Sequence, residues 1–126
     1  MTARILLIED NAQNRYLATF LLEQRGHTVL QAETGSEGLR MAAANTPDLI
    51  LLDIQLPGMD GYEVARQLTG DARLTGIPIV AVTSYAMVGD RERCLAAGAC
   101  GYIEKPINPE SFVGEVESFL AAPPRE

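Results

Sequence analysis

Leu49 to Leu52 form an unbroken apolar run between Pro47 and a carboxylate, Asp53. The run is far too short to span a membrane, and it does not alternate between apolar and polar residues. It fits a strand covered on both faces, as strands inside a parallel sheet are. A charge at the end of such a strand is costly unless something pairs with it. Asp53 leads into a loop marked by Pro57 and Gly58, so the charge sits where the chain turns away.

The same pattern recurs along the chain. Arg4 to Ile8 is a short apolar run that ends at Glu9 and Asp10. Ile77 to Val82 ends at Thr83, and Cys100 to Ile103 ends at Glu104, Lys105 and Pro106. Thr28 to Ala32 is more polar and is expected nearer a sheet edge.

Helical patterns lie between these runs. Ala12 to Arg25 carries Leu17, Phe20, Leu21 and Gln24 at helical spacing and ends at Gly26. Thr34 and Glu37 have capping-box spacing and open a helix through Leu39, Met41, Ala42 and Ala43. Asp60 and Glu63 repeat that spacing ahead of Val64, Ala65 and Leu68, and Gly70 to Gly76 reads as a loop. Ala86 to Ala97 is helical up to Gly98. Asn108 and Pro109 are expected to cap and open a last helix, with Phe112, Val113, Val116, Phe119 and Leu120 on one stripe.

Strict alternation of five strands with five helices predicts a single doubly wound (βα)5 α/β domain with a five-stranded parallel sheet. The domain is expected over residues 1–121, and residues 122–126 form a short tail with two prolines. A net charge of −7 argues against direct nucleic-acid binding and against anionic membranes. No stretch approaches the roughly 18 apolar residues of a membrane helix, and Cys94 and Cys100 lack metal-ligand or redox-pair spacing. A soluble cytoplasmic protein with reduced thiols is the expectation.

In a parallel sheet every strand end falls on one edge, and ligands bind in the crevice there. That edge would collect Glu9, Asp10, Asp53, Thr83 and Lys105. Lys105 is the only lysine of the chain; the other nine basic side chains are arginines. A lone lysine in this place points to a use for a compact charge rather than a planar fork. Three carboxylates in one crevice repel one another, and a divalent cation resolves the conflict. Oxygen donors without histidine or cysteine favour magnesium over zinc or copper. His27, the only histidine, is expected on the solvent side ahead of the second strand. Magnesium, a lysine and the Thr83 hydroxyl around one aspartate fit phosphoryl transfer to Asp53, with the carboxylate as covalent nucleophile.

These residues resemble the receiver domains of two-component response regulators over essentially the whole chain. The resemblance is carried by Glu9-Asp10, by Asp53 followed by IQLPGMDG, by Thr83 after IPIVAV, and by Lys105-Pro106. It implies the CheY-like version of the doubly wound fold. It implies that Asp53 accepts a phosphoryl group from a phosphohistidine on a sensor histidine kinase or phosphotransfer protein. Asp10, Asp53 and the backbone carbonyl of Gln55 would ligate magnesium, with Glu9 acting through a bound water. Lys105 would pair with the phosphoryl oxygens, and Pro106 would follow a cis bond. Thr83 and Tyr102 would form the switch, altering the face built from the fourth helix, the last strand and the last helix. Arg91, Cys94, Tyr102, Ile107 and the outer side of Pro109 to Leu120 are the candidates on that face. A regulator without output domain is implied, monomeric or dimerising on phosphorylation, and not an enzyme with a separate substrate.

Other readings share parts of this pattern. An aspartate-nucleophile phosphatase needs a second acid two residues after the nucleophile, where this chain has Gln55. A flavodoxin-like nucleotide binder would open its first loop with phosphate-binding residues, where this chain has Glu9-Asp10. A degenerate receiver that only binds proteins would usually lack the aspartate or the lysine, and a receiver of a hybrid histidine kinase would look much like this chain. Gln55 and Tyr85 flank the site and are expected to tune phosphoryl lifetime.

Overall fold

A computed structural model describes residues 2–56, 58–83 and 89–121, without the side chains of 90, 91 and 121. Pro57, Tyr85, the start of the fourth helical pattern at Ala86, the Arg91 side chain and the tail 122–126 lie outside the described residues.

Five strands run β1 Arg4–Ile8, β2 Thr28–Ala32, β3 Leu49–Asp53, β4 Ile79–Thr83 and β5 Gly101–Glu104. Five helices follow them: α1 Ala12–Gln24, α2 Gly35–Asn45, α3 Gly61–Thr69, α4 Asp90–Ala96 and α5 Phe112–Ala121. All pairs are parallel and the strand order is β2-β1-β3-β4-β5, so β2 is an edge, as its polarity predicts. The loop after α3 contains one short 3-10 turn, Ala72–Leu74, not anticipated from its glycines.

Strand alternation divides the core. Leu6, Ile8, Ile50, Leu52, Ile79 and Ala81 face the layer that includes α2, α3 and α4. Ile5, Leu7, Leu49, Leu51, Val80 and Val82 face α1 and α5. All five residues of β3 are buried, Asp53 among them, so the apolar run is covered on both faces.

The helix starts follow their caps. Thr34 Oγ1 accepts the Glu37 N–H at 3.1 Å. Glu37 reaches back one residue further than a capping box would, accepting from the Glu33 N–H. Asp60 accepts from Tyr62 N–H, while Glu63 turns to Arg66 and Gln67 instead of back to the cap. The last helix begins later than Pro109: residues 109–111 form a turn, with Asn108 Oδ1 accepting from Glu110 N–H.

Three expectations need correction. On α1 the buried positions are Ala18 and Leu22, one turn apart; Phe20 is 47 % exposed and stacks on Tyr16, and Gln24 is exposed. Cys94 is buried with Ala97 on the inner side of α4, so it is not on the outer face; Leu95, a helical step of about 100° away, is exposed there. His27 is buried rather than solvent-facing. Its Nδ1 accepts the Ala3 N–H at 3.1 Å and its Nε2 lies 2.9 Å from a Glu117 oxygen.

Candidate functional site

Strand order reverses between β1 and β3, and this is where a doubly wound sheet opens a crevice at its C-terminal edge. β1 delivers Glu9 and Asp10 there, β3 delivers Asp53, β4 delivers Thr83, and the residue after β5 is Lys105. The register pairs Thr83 with Glu104, and the Lys105 N–H donates to the Thr83 carbonyl at 2.7 Å. The sheet ladder therefore sets where Lys105 leaves the last strand. The Lys105–Pro106 peptide bond is cis, as expected.

Lys105 Nζ lies 2.9 Å from a Glu9 oxygen and 3.3 Å from an Asp53 oxygen. The other Asp53 oxygen accepts the Gln55 N–H at 2.9 Å, and the second Glu9 oxygen accepts the Asn11 N–H at 3.1 Å. Asp53 is 2 % exposed, Glu9 and Thr83 3 % each, whereas Asp10 is on the surface. Carboxylate oxygens of Glu9, Asp10 and Asp53 lie within 4.8 Å of one another. Tyr102 is half-buried on β5 and packs against the core layer that includes α4.

Charge is unbalanced in this crevice. Burial, then a hydrogen bond shared with Asp53, push the Glu9 carboxyl up to about 7 against the opposing pull of Lys105 and the Asn11 N–H. Burial works against the Lys105 ammonium, but its bond to Glu9 and the charge of Asp53 outweigh that and hold its pKa above the usual value. Among the described residues one cation faces three carboxylates, which leaves room for more positive charge. An all-oxygen donor set suits magnesium, and Glu9, Asp10 and Asp53 are the residues that would hold it.

One contributor escapes the sequence reading. Arg15, on the second turn of α1, donates from one guanidinium nitrogen to the carbonyls of Glu9 and Asp10, at 3.0 Å each. It clamps the acidic loop to the helix without touching a carboxylate of the site. An arginine five residues past Asp10 is the only signal for it, and many helices carry one by chance.

The family model for the response regulator receiver domain matches residues 5–117. The chain belongs to the response regulator receiver family. It is 42 % identical over 120 residues to the polar-differentiation response regulator DivK of Brucella ovis, covering 95 % of this chain and 98 % of that one. Among solved structures it is similar to the chemotaxis protein CheY4 of Vibrio cholerae, with TM-score 0.89, 26 % identity, and coverage of 94 % and 99 %. A receiver domain of a sensor histidine kinase from Pseudomonas aeruginosa matches with TM-score 0.87 and 32 % identity over 97 % of this chain and all of that one; it has a magnesium ion coordinated in its active site cleft. Receivers are signalling domains of two-component systems and work with histidine kinases or phosphotransfer proteins. Receivers bind magnesium at an acidic pocket, and this chain has an acidic cluster of Glu9, Asp10 and Asp53. Among the described residues, no helix is long and apolar enough to cross a membrane.

Proposed function

We propose that Asp53 is the phosphoacceptor of a His-Asp phosphorelay, taking a phosphoryl group from a phosphohistidine on a sensor histidine kinase or phosphotransfer protein. The observation that carries this reading is the position of Lys105 Nζ, which bridges Glu9 and the buried nucleophile Asp53.

An Asp53 oxygen forms the new O–P bond as the P–N bond to the donor imidazole breaks. The electron pair stays on the imidazole nitrogen, which then takes a proton from solvent. Gln55 N–H fixes the rotation of the nucleophile by holding its other oxygen. Lys105 supplies positive charge where the transferred oxygens gather, and this kind of prepared electrostatics is the main protein contribution to phosphoryl transfer. Magnesium, when bound, neutralises further charge in the same place; Asp10, Asp53 and the Gln55 carbonyl would ligate it, with Glu9 acting through water. Thr83 is buried beside this edge and donates its hydroxyl to the phosphoryl group. Tyr102 then turns inward, and the outer face of α4, β5 and α5 changes with it. Such a two-position element, biased by a local charge, is how a phosphoryl group is read at a distance.

Acetyl phosphate, offered with and without magnesium, tests the acceptor by intact mass, with Asp53→Asn as control. A magnesium-dependent gain of one phosphoryl group, absent from the variant, is expected. Folded protein that never gains one would make the chain a protein-binding module instead.

A further inference from the structure

A cavity of about 660 Å³ opens at the end of the sheet opposite the acidic pocket. Part of its wall comes from residues that lead into the strands: Asp48 ahead of β3, Ile77 ahead of β4 and Cys100 ahead of β5. Ile50, Leu68 and Ile79 line it from the core, and the half-buried ring of Phe119 lines it from α5. The volume lies within the roughly 300–1,000 Å³ of small-molecule sites, which are mostly apolar with a few placed polar groups. Asp48 and Asp53 stand at opposite ends of β3, roughly 16 Å apart at the rise of an extended chain, so this cavity is separate from the relay site.

Asp48 is the only charged side chain in the lining among the described residues. Its Oδ2 accepts the Arg4 N–H at 2.8 Å, and its own N–H donates to the Arg4 carbonyl at 2.7 Å. This pair of bonds fixes the carboxylate on the backbone of β1 and leaves Oδ1 without a hydrogen-bond partner among the described residues. Neighbouring arginines do not neutralise it. The Arg4 guanidinium turns to Asn45 Oδ1, and Arg73, in the turn beside the cavity, is held on both oxygens of Asp71 at 3.0 and 2.8 Å. Thr69 and Thr75 also line the cavity, and their hydroxyls donate to the carbonyls of Ala65 and Ala72, so they have lone pairs left to offer. An apolar cavity whose open polar side-chain atoms are acceptors, one of them charged, is complementary to a cationic donor on an apolar body.

We infer that this cavity binds a small organic cation, a primary ammonium carried on an aromatic or aliphatic body. The ammonium has three donors, enough to serve Asp48 Oδ1 and a threonine lone pair together. The body lies against Ile50, Leu68, Ile79 and Phe119, where its burial supplies the apolar share of the affinity. A carboxylate or phosphate in the same place would meet the Asp48 charge with no cation in the lining to offset it. The inference goes beyond the relay reading and does not depend on it.

The test uses the full chain, labelled with nitrogen-15, at neutral pH in buffer containing magnesium, so that the amine does not compete for an empty acidic pocket. It is titrated with phenethylamine, phenethyl alcohol and hydrocinnamate, three probes of similar size that are cationic, neutral and anionic. Phenethylamine is expected to give saturating shifts at the amides of Asp48, Ile50, Gly76, Ile77 and Cys100. The alcohol should bind at least about tenfold more weakly, as loss of a hydrogen bond to a charged group would cause, and hydrocinnamate should not bind. Asp48→Asn keeps an oxygen for the Arg4 N–H while removing the charge, and should bring the amine down to the affinity of the alcohol. Should that variant not fold, the ratio of amine to alcohol binding on the unaltered chain decides. The inference is overturned by amine shifts that do not saturate, by shifts confined to the surroundings of Glu9 and Asp53 or to other surfaces, by equal binding of amine and alcohol, or by unchanged amine affinity in folded Asp48→Asn.

Discussion

Lys105 sits closer to Glu9 than to Asp53, at 2.9 Å against 3.3 Å, so the only lysine of the chain neutralises the acidic loop as well as the proposed phosphoacceptor. These two roles can be separated. Lys105→Met should slow phosphoryl uptake by about 10²-fold, the usual cost of one lost charge-stabilising donor. The same change removes the one cation that faces the three carboxylates among the described residues, so magnesium affinity should rise. Intact-mass kinetics with acetyl phosphate and magnesium titration by calorimetry read the two effects. Parallel loss of both would contradict the arrangement.

Glu9 gives the site a pH dependence. With its carboxyl pushed up to about 7 by burial, it holds a proton below that pH, and magnesium binding through the proposed water bridge would have to release it. Magnesium affinity should therefore climb as pH rises towards 7 and level off above it. Glu9→Gln should flatten that climb. The metal-free protein should show the opposite trend in stability. The folded state binds the proton more tightly than the unfolded one, whose ordinary value is 4.5, so the Glu9 contribution is present below 4.5 and is lost as pH rises through about 7. Urea melts at several pH values, with and without Glu9→Gln, check the sign.

Much of the fold was legible because the strands are covered on both faces. Leu49 to Leu52 and Arg4 to Ile8 announce themselves as continuous apolar runs, and their flanking acids mark the sheet edge. The site followed from topology: once strands are parallel, Glu9, Asp10, Asp53, Thr83 and Lys105 must share an edge. Less was readable where a pattern has two solutions. In α1 a stripe through Leu17, Phe20 and Leu21 competes with one through Ala18 and Leu22, and the small Ala18 gave no hydrophobic signal although it is the buried one. Cys94 and Leu95 are adjacent, and only packing decides which of them faces in. The burial of His27 depends on Ala3 and Glu117, 24 and 90 residues away in sequence, and no local pattern encodes such a contact.

That buried histidine is a clamp across three elements. Because Nδ1 accepts from the Ala3 N–H, the proton of the neutral ring is on Nε2 and is donated to Glu117, tying the residue before β1 to α5. His27→Ala leaves the Ala3 N–H and a buried space without partners, and should cost about 2 kcal/mol in urea unfolding. Hydrogen bonding from His27 holds the Glu117 carboxyl below its usual range, so this contribution is present above the unfolded value of 4.5 and lost as pH falls through the lower folded one. Glu117→Gln should therefore destabilise at neutral pH and matter much less in acid.

The loop behind Asp53 is fixed by a glycine. A Cβ on Gly61 would lie 2.5 Å from both the Cα and the carbonyl oxygen of Ile54, the residue that follows Asp53, and Gly61 N–H donates to that same carbonyl at 3.2 Å. Backbone atoms cannot rotate out of the way, as the end of a flexible side chain would. Gly61→Ala must push the start of α3 off the residues after Asp53, at a cost on the order of 2–4 kcal/mol. Displacing Ile54 also disturbs Gln55, whose N–H holds an oxygen of Asp53, the proposed phosphoacceptor. Phosphoryl uptake in the folded fraction should therefore fall along with stability. By contrast Gly70→Ala, at the end of the same helix, meets nothing nearer than 3.4 Å and should leave phosphoryl uptake unchanged. Comparing acetyl phosphate kinetics of the two variants at a temperature where both remain folded separates the loss of aim from the loss of stability. Equal uptake by both would show that the contact between Gly61 and Ile54 serves the fold alone.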